Sequence, residues 1–128
     1  MKDFRELKCW KACRELRRFV HARILPLLSR DEKYRLADQL IRVARSTTAN
    51  IAEGHGRFHY LDNAKFCGNA RGSAYEVLDH LQTALDEALI DEALFREGEK
   101  LVWDAVKLTN GYMNYLKKAK DPVPGADD

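Results

Sequence analysis

The sequence predicts an all-α fold, an antiparallel up-down four-helix bundle, on three observations. Apolar residues recur at three- and four-residue spacing along four long stretches. Only three prolines and seven glycines occur, and Pro26, Gly54, Gly56 and Pro122 stand where the helical patterns stop. With 128 residues, 45% of them hydrophobic and 33% charged, the chain fits one domain, placed over residues 1–120 and followed by a disordered tail over 121–128.

The first helix is expected over about 3–25, because Cys9, Cys13, Leu16, Val20 and Ile24 share one face of a wheel turning about 100° per residue. Ala12 and Phe19 flank that face, and Pro26 halts it. Ser29 and Glu32 have the spacing of a capping box, in which hydroxyl and carboxylate each satisfy an orphan backbone N–H. They open a second helix over 30–54 with Leu36, Leu40, Ala44, Thr47 and Ile51 inward and the permissive backbone of Gly54 and Gly56 at its end.

A third helix, over about 61–90, carries the broadest stripe: Phe66, Cys67, Ala70, Ala74, Val77, Leu78, Leu81, Leu85 and Ala88. Asp91 caps a fourth over 92–118, striped by Leu94, Leu101, Val102, Ala105, Thr109, Tyr112 and Leu116. Lys117, Lys118 and Lys120 suit its negative C-terminal end before Pro122.

Net charge is only +2, which by itself gives no argument for nucleic acid, membrane or acidic substrate. The distribution is lopsided. Residues 1–60 carry 14 Lys+Arg against 7 Asp+Glu, a net of +7, and residues 61–128 carry 8 against 13, a net of −5. The three cysteines, Cys9, Cys13 and Cys67, are expected to be reduced. Met1 to Arg5 hold no apolar leader and no apolar run approaches membrane-spanning length, so a cytoplasmic address without a membrane partner is expected.

Functional residues must lie on the faces the core does not use. On the outer side of the first helix Lys8, Lys11, Arg14 and Arg18, with Arg17 at the edge, form a basic ridge suited to phosphates. On the second, Arg42, Ser46, Ala49 and Glu53 line up with Asn50 beside them. On the third, Gly72, Ser73, Glu76, His80 and Thr83 cluster opposite the apolar stripe, near Arg71. Small residues on an exposed face invite a close helix neighbour, and one subunit has no fifth helix to offer. Arg42, Ser46, Asn50, Glu53, Arg71, Ser73, Glu76 and His80 are therefore expected at a subunit interface, with Trp103 as an anchor.

Catalytic patterns are weak. A di-iron bundle needs two Glu-x-x-His motifs, whereas Glu76 and His80 are four apart and alone, so neither metal nor cofactor is expected. Arg14 and His21 have the loose spacing of helical ribonucleases of the HEPN type, which offers acid–base transfer beside a phosphate-holding Arg. The turn from Gly54 to His59 holds His55, Arg57 and His59 and can take an anion, with no nucleophile beside it. The chain is expected not to be an enzyme.

Three segments carry a resemblance: Phe4-x-x-Leu7-x-x-Trp10, Arg42-x-Ala44-x-Ser46-x-x-x-Asn50-Ile51-Ala52-Glu53-Gly54-x-Gly56-Arg57, and Ala70-Arg71-Gly72-Ser73-x-x-Glu76-Val77. Over about residues 3–117 the chain resembles the four-helix-bundle family of 23S ribosomal RNA intervening-sequence proteins. His55 and Thr48 depart from the family pattern, which often has a bulkier residue after the first glycine and a proline near Thr48. The resemblance implies a bacterial cytoplasmic bundle assembling as a ring-like homopentamer, without established enzymatic activity. A related branch, the accessory variability proteins of diversity-generating retroelements, binds a reverse transcriptase and nucleic acid. The expectation is thus a non-catalytic oligomeric module contacting RNA or DNA through Lys8, Lys11, Arg14, Arg17 and Arg18. The alternatives are a structural adaptor for a reverse transcriptase and, third, a ribonuclease.

Overall fold

A short 3-10 turn, Phe4–Glu6, leads into α1, Lys8–Phe19. Cys9, Cys13 and Leu16 bury one face of it, and Val20 and Ile24 continue the stripe through a π-type turn, Val20–Ile24. Pro26, without an N–H to donate, ends the element in a 3-10 turn, Leu25–Leu27. A second π-type turn, Lys33–Ala37, precedes α2, Asp38–His55. Then come α3, Tyr60–Asp86, and α4, Glu92–Lys118. The computed structural model describes residues 3–28, 31, 33–119 and 121, among which there are four long helices and no strand. The Ser29–Glu32 capping box, Lys120 and the tail beyond Asp121 lie outside the described residues.

Each helix packs on two others: α1 on α2 and α4, and α3 on α2 and α4. Contacts across the seams run in opposite directions along the chain. Ser46 meets Ser73 while Gly54 faces Asn63, and Arg23 reaches Glu97 while Phe19 abuts Gly98. These two seams are accordingly antiparallel, the arrangement that short connections between long amphipathic helices favour.

The core changes character along the bundle axis. One end is aliphatic, with Val20, Ile24, Leu40, Val77, Leu81, Phe95 and Val102 in contact with one another. Toward the other end the buried set becomes Cys9, Cys13, Ile51, Ala70 and Ala105, then Ala64, Cys67, Met113 and Leu116. Polar groups are buried there too. The Cys13 thiol lies beside the Thr47 and Thr109 hydroxyls, so α1, α2 and α4 meet in one polar layer. Asn63 donates to the Tyr112 hydroxyl at 3.0 Å and accepts from the Cys67 thiol. No buried side-chain nitrogen or oxygen among the described residues lacks a partner, so this layer does not incur the cost of orphaned polar atoms.

Two sequence expectations change. The third helix, read to residue 90, stops at Asp86, where the Leu89 N–H bonds to the Ala84 carbonyl and the Ala88 N–H to the Leu85 carbonyl. Ala88 takes a left-handed φ of 59° to make that turn, a conformation an alanine does not advertise. Gly54 and Gly56 also act differently from the permissive-backbone reading. Gly56 has an ordinary right-handed conformation, and Gly54 lies inside α2. A Cβ on Gly54 would sit 2.7 Å from Asn63 Oδ1 and 2.9 Å from Phe66 Cβ. Space between α2 and α3 requires this glycine.

Candidate functional site

The outer face of α1 and its π-type turn, over residues 8–23, sets Lys8, Lys11, Arg14, Arg17, Arg18 and Arg23 against one carboxylate, Glu15. Packing divides this ridge between two seams. Lys8 and Lys11 border a groove of about 470 Å³ between α1 and α4. Its apolar floor is Ala12, Leu101 and Leu108, and Glu15, Asp104 and Lys107 complete the rim. Arg14 leans its guanidinium on the Trp10 ring, 5.8 Å from the centroid.

Arg17 and Arg18 instead face α2. With His21, Ala22 and Arg45 they wall a hollow of about 310 Å³ that has no carboxylate in its lining. Arg17 is half-buried and donates to the Thr48 hydroxyl at 2.8 Å, which fixes its stem against α2. Arg18 has only a long, exposed contact of 3.6 Å to Glu15. The π-type turn places His21 and Ala22 at this wall, and the small Ala22 leaves the hollow open. Arg45 is a member that sequence spacing does not supply. Its spacing of three from Arg42 marks an outward cation on α2, but nothing local tells that α1 faces it.

The residues expected at a subunit interface separate into distinct places. Ser46 and Ser73 share a hydrogen bond of 2.8 Å, and Asn50 donates to both the hydroxyl and the carbonyl of Ser46. The close helix neighbour these small residues call for is supplied within the chain, where α2 meets α3. A fifth helix is not needed to explain them. Glu53 pairs with Arg57 at 3.0 Å, and Arg57 also covers the Phe66 ring. Arg71 donates to the neutral Asn110 at 2.7 Å across the α3–α4 seam. Arg42 and Glu76 are exposed, and His80 lines a mixed-charge hollow with Arg35, Asp79 and Glu87. Trp103 is 45% exposed, edge-on to a Tyr75 that is 46% exposed, an aromatic pair of which periodicity marked only one member.

The two residues of the ribonuclease reading have different neighbours. Arg14 turns back toward Trp10, whereas His21 belongs to the hollow beside Arg45, about two helical turns away. In the turn after α2, His59 Nδ1 meets Asp121 Oδ2 at 2.7 Å, and Asp121 Oδ1 accepts the Tyr60 N–H at 2.8 Å. Asp121, read as the first tail residue, thus caps α3. Its hydrogen bond raises the His59 pKa, and the same bond lowers that of Asp121.

Burial pushes the three thiols well up, Cys9 and Cys67 to about 12 and Cys13 to about 11, so none is a ready nucleophile or metal ligand. Among the described residues no group of three or more His, Cys, Asp or Glu side chains can hold a metal ion, and no helix is long and apolar enough to cross a membrane.

The sequence pattern of the family described as 23S rRNA-intervening sequence protein matches residues 5–111, which takes in α1, α2, α3 and most of α4. No curated protein matches the chain.

Proposed function

Since the chain belongs to the 23S rRNA-intervening sequence protein family, we propose that it is a non-catalytic, self-associating binding module that contacts RNA or DNA through its basic face. One observation carries the reading. Six cations against one carboxylate lie along residues 8–23, and packing leaves Arg17 and Arg18 at an acid-free hollow on one side of α1 and Lys8 and Lys11 at a groove on the other. Phosphate backbones bind such surfaces by releasing counterions, which makes the affinity fall steeply with salt.

The charge split favours a ring. Because α1 packs on α2 and α3 on α4, the basic and acidic halves of the sequence become two sides of the bundle. A two-fold dimer sets a patch against itself, whereas a head-to-tail contact joins unlike edges, closes by rotation and repeats the basic α1 ridge around the outside. A homopentamer is the ring that the family resemblance implies. The Tyr75–Trp103 pair on the acidic side supplies an apolar anchor.

Light scattering tests the assembly: five copies are expected, and a monomer would overturn it. Anisotropy titrations of the assembled protein with RNA at several salt concentrations test the ligand. Neutralising Lys8, Lys11, Arg14, Arg17 or Arg18 singly is expected to reduce the salt slope by about one each. Salt-independent or absent binding would sink the nucleic-acid reading and leave the adaptor for a protein such as a reverse transcriptase. RNA cleavage that His21→Ala abolishes would overturn the non-catalytic part.

A further inference from the structure

We infer that the hollow between α1 and α2, walled by Arg17, Arg18, His21 and Arg45, binds the terminal phosphate of a single-stranded nucleic acid. This inference rests on the nucleic-acid reading above and narrows it from a charged face to a phosphomonoester end.

Three features of the hollow support it. The first is excess positive charge: three guanidiniums line the space beside an imidazole, without one carboxylate in the wall. Like charges at such proximity repel in the empty protein, and a multivalent anion relieves that repulsion. The second is chemistry. A monoester phosphate carries about −1.5 to −2 charges near neutral pH and three acceptor oxygens, and each guanidinium offers a planar fork that can grip two of them. An internal phosphodiester carries one charge and presents two free oxygens, so it engages fewer of these donors.

The third is shape. The hollow is concave, about 310 Å³, and opens where Ala22 withholds a longer side chain. A chain end can enter such a space. A duplex backbone passes over the surface and meets exposed ridge cations such as Lys8, Lys11 and Arg14 more readily. Arg17 is already positioned by its bond to Thr48, whereas Arg18 can leave its long contact to Glu15 at little cost.

The test compares three single-stranded RNA oligomers of one sequence, carrying a 5′-phosphate, a 3′-phosphate or hydroxyls at both ends, titrated into the full-length assembled protein and followed by anisotropy. At least one phosphorylated end is expected to bind about tenfold tighter than the hydroxyl form, and the 5′ and 3′ arms identify which end the hollow takes. Ala22→Leu, which fills the space without changing charge, and Arg45→Ser are each expected to erase that preference. Lys8→Ser lowers affinity for all three oligomers and leaves the preference intact. Circular dichroism identifies the variants that fold. Equal affinity for the three oligomers, or a preference that survives in both folded hollow variants, overturns the inference while the basic-face reading stands. Absence of binding by any oligomer overturns both.

Discussion

At one end of the bundle Ile24, Leu40, Leu81 and Phe95 fill the core with branched and aromatic bulk, while at the other Cys13, Thr47, Thr109, Asn63 and Cys67 fill it with small and polar groups. The first end is held by volume and tolerates any apolar arrangement that fills the same space. The second is held by proximity: α2 and α3 approach closely enough that Gly54 cannot carry a Cβ, and each buried polar atom needs its particular partner. The charged hollow lies outside the aliphatic end, where Val20 and Leu16 on the inner side of α1 anchor the helix that carries Arg17, Arg18 and His21 outward. The hollow is thereby mounted on the end whose core is least particular about identity.

Truncation at the aliphatic end is expected to have the largest effect. Leu81 is fully buried, and Leu81→Ala should cost about 2–5 kcal/mol through lost burial and a residual cavity, measured by urea unfolding. A smaller loss would mean that the α3–α4 seam collapses onto the space. Next comes a contrast of two glycines. Gly54→Ala should cost roughly 1–3 kcal/mol, because its added methyl meets the Asn63 carbonyl and the Phe66 Cβ, neither of which can yield. Gly98→Ala should cost less, because the methyl meets only side-chain ends, the Leu81 Cδ1 methyl and the edge of Phe19, and no backbone. Equal losses would erase the distinction between an end limited by backbone and one limited by side chains.

The serine seam should give a smaller, coupled effect. Ser46→Ala or Ser73→Ala alone should cost about 1 kcal/mol, and the double variant less than the sum of the two, because removing both hydroxyls leaves no orphan between the helices. Strict additivity would show that the bond contributes nothing specific.

The ends of α3 sharpen the comparison further. At the aliphatic end Ala88 bears a left-handed φ, so Ala88→Gly should stabilise the fold by about 0.5–1 kcal/mol, and a loss would show that the Ala88 methyl makes a contact worth more than the strain. At the polar end α3 is capped by Asp121, whose pairing with His59 has a pH window. The raised His59 pKa makes the clasp's contribution present at and below the ordinary histidine range and lost as pH rises through the raised value. The lowered Asp121 pKa makes it fade again as pH falls through that value. In an NMR titration Asp121→Asn should bring the His59 pKa down, and an unchanged value would remove the clasp.

Much of the architecture was legible because a helix writes its buried face into the sequence. Cys9, Cys13, Leu16, Val20 and Ile24 are all buried, as their spacing requires, and Asp91 accepts the Leu94 N–H as its cap. The site was legible only in part. The ridge from Lys8 to Arg18 is visible on one helix, yet the hollow needs Arg45 from another. Ser46 and Ser73 are visible as small residues on two outward-looking faces, and periodicity has no means of telling that the two faces meet.

The sequence by itself determined how many helices form, which stripe each one buries and that charge divides between the two halves, because these follow from backbone periodicity and residue type within a few turns. Only the tertiary structure decided that Gly54 is required by crowding, that the α1 cations part into a groove and a hollow, and that Asp121 returns to cap α3. Those outcomes depend on the side chains that packing brings opposite one another from distant positions, and no local spacing encodes that pairing.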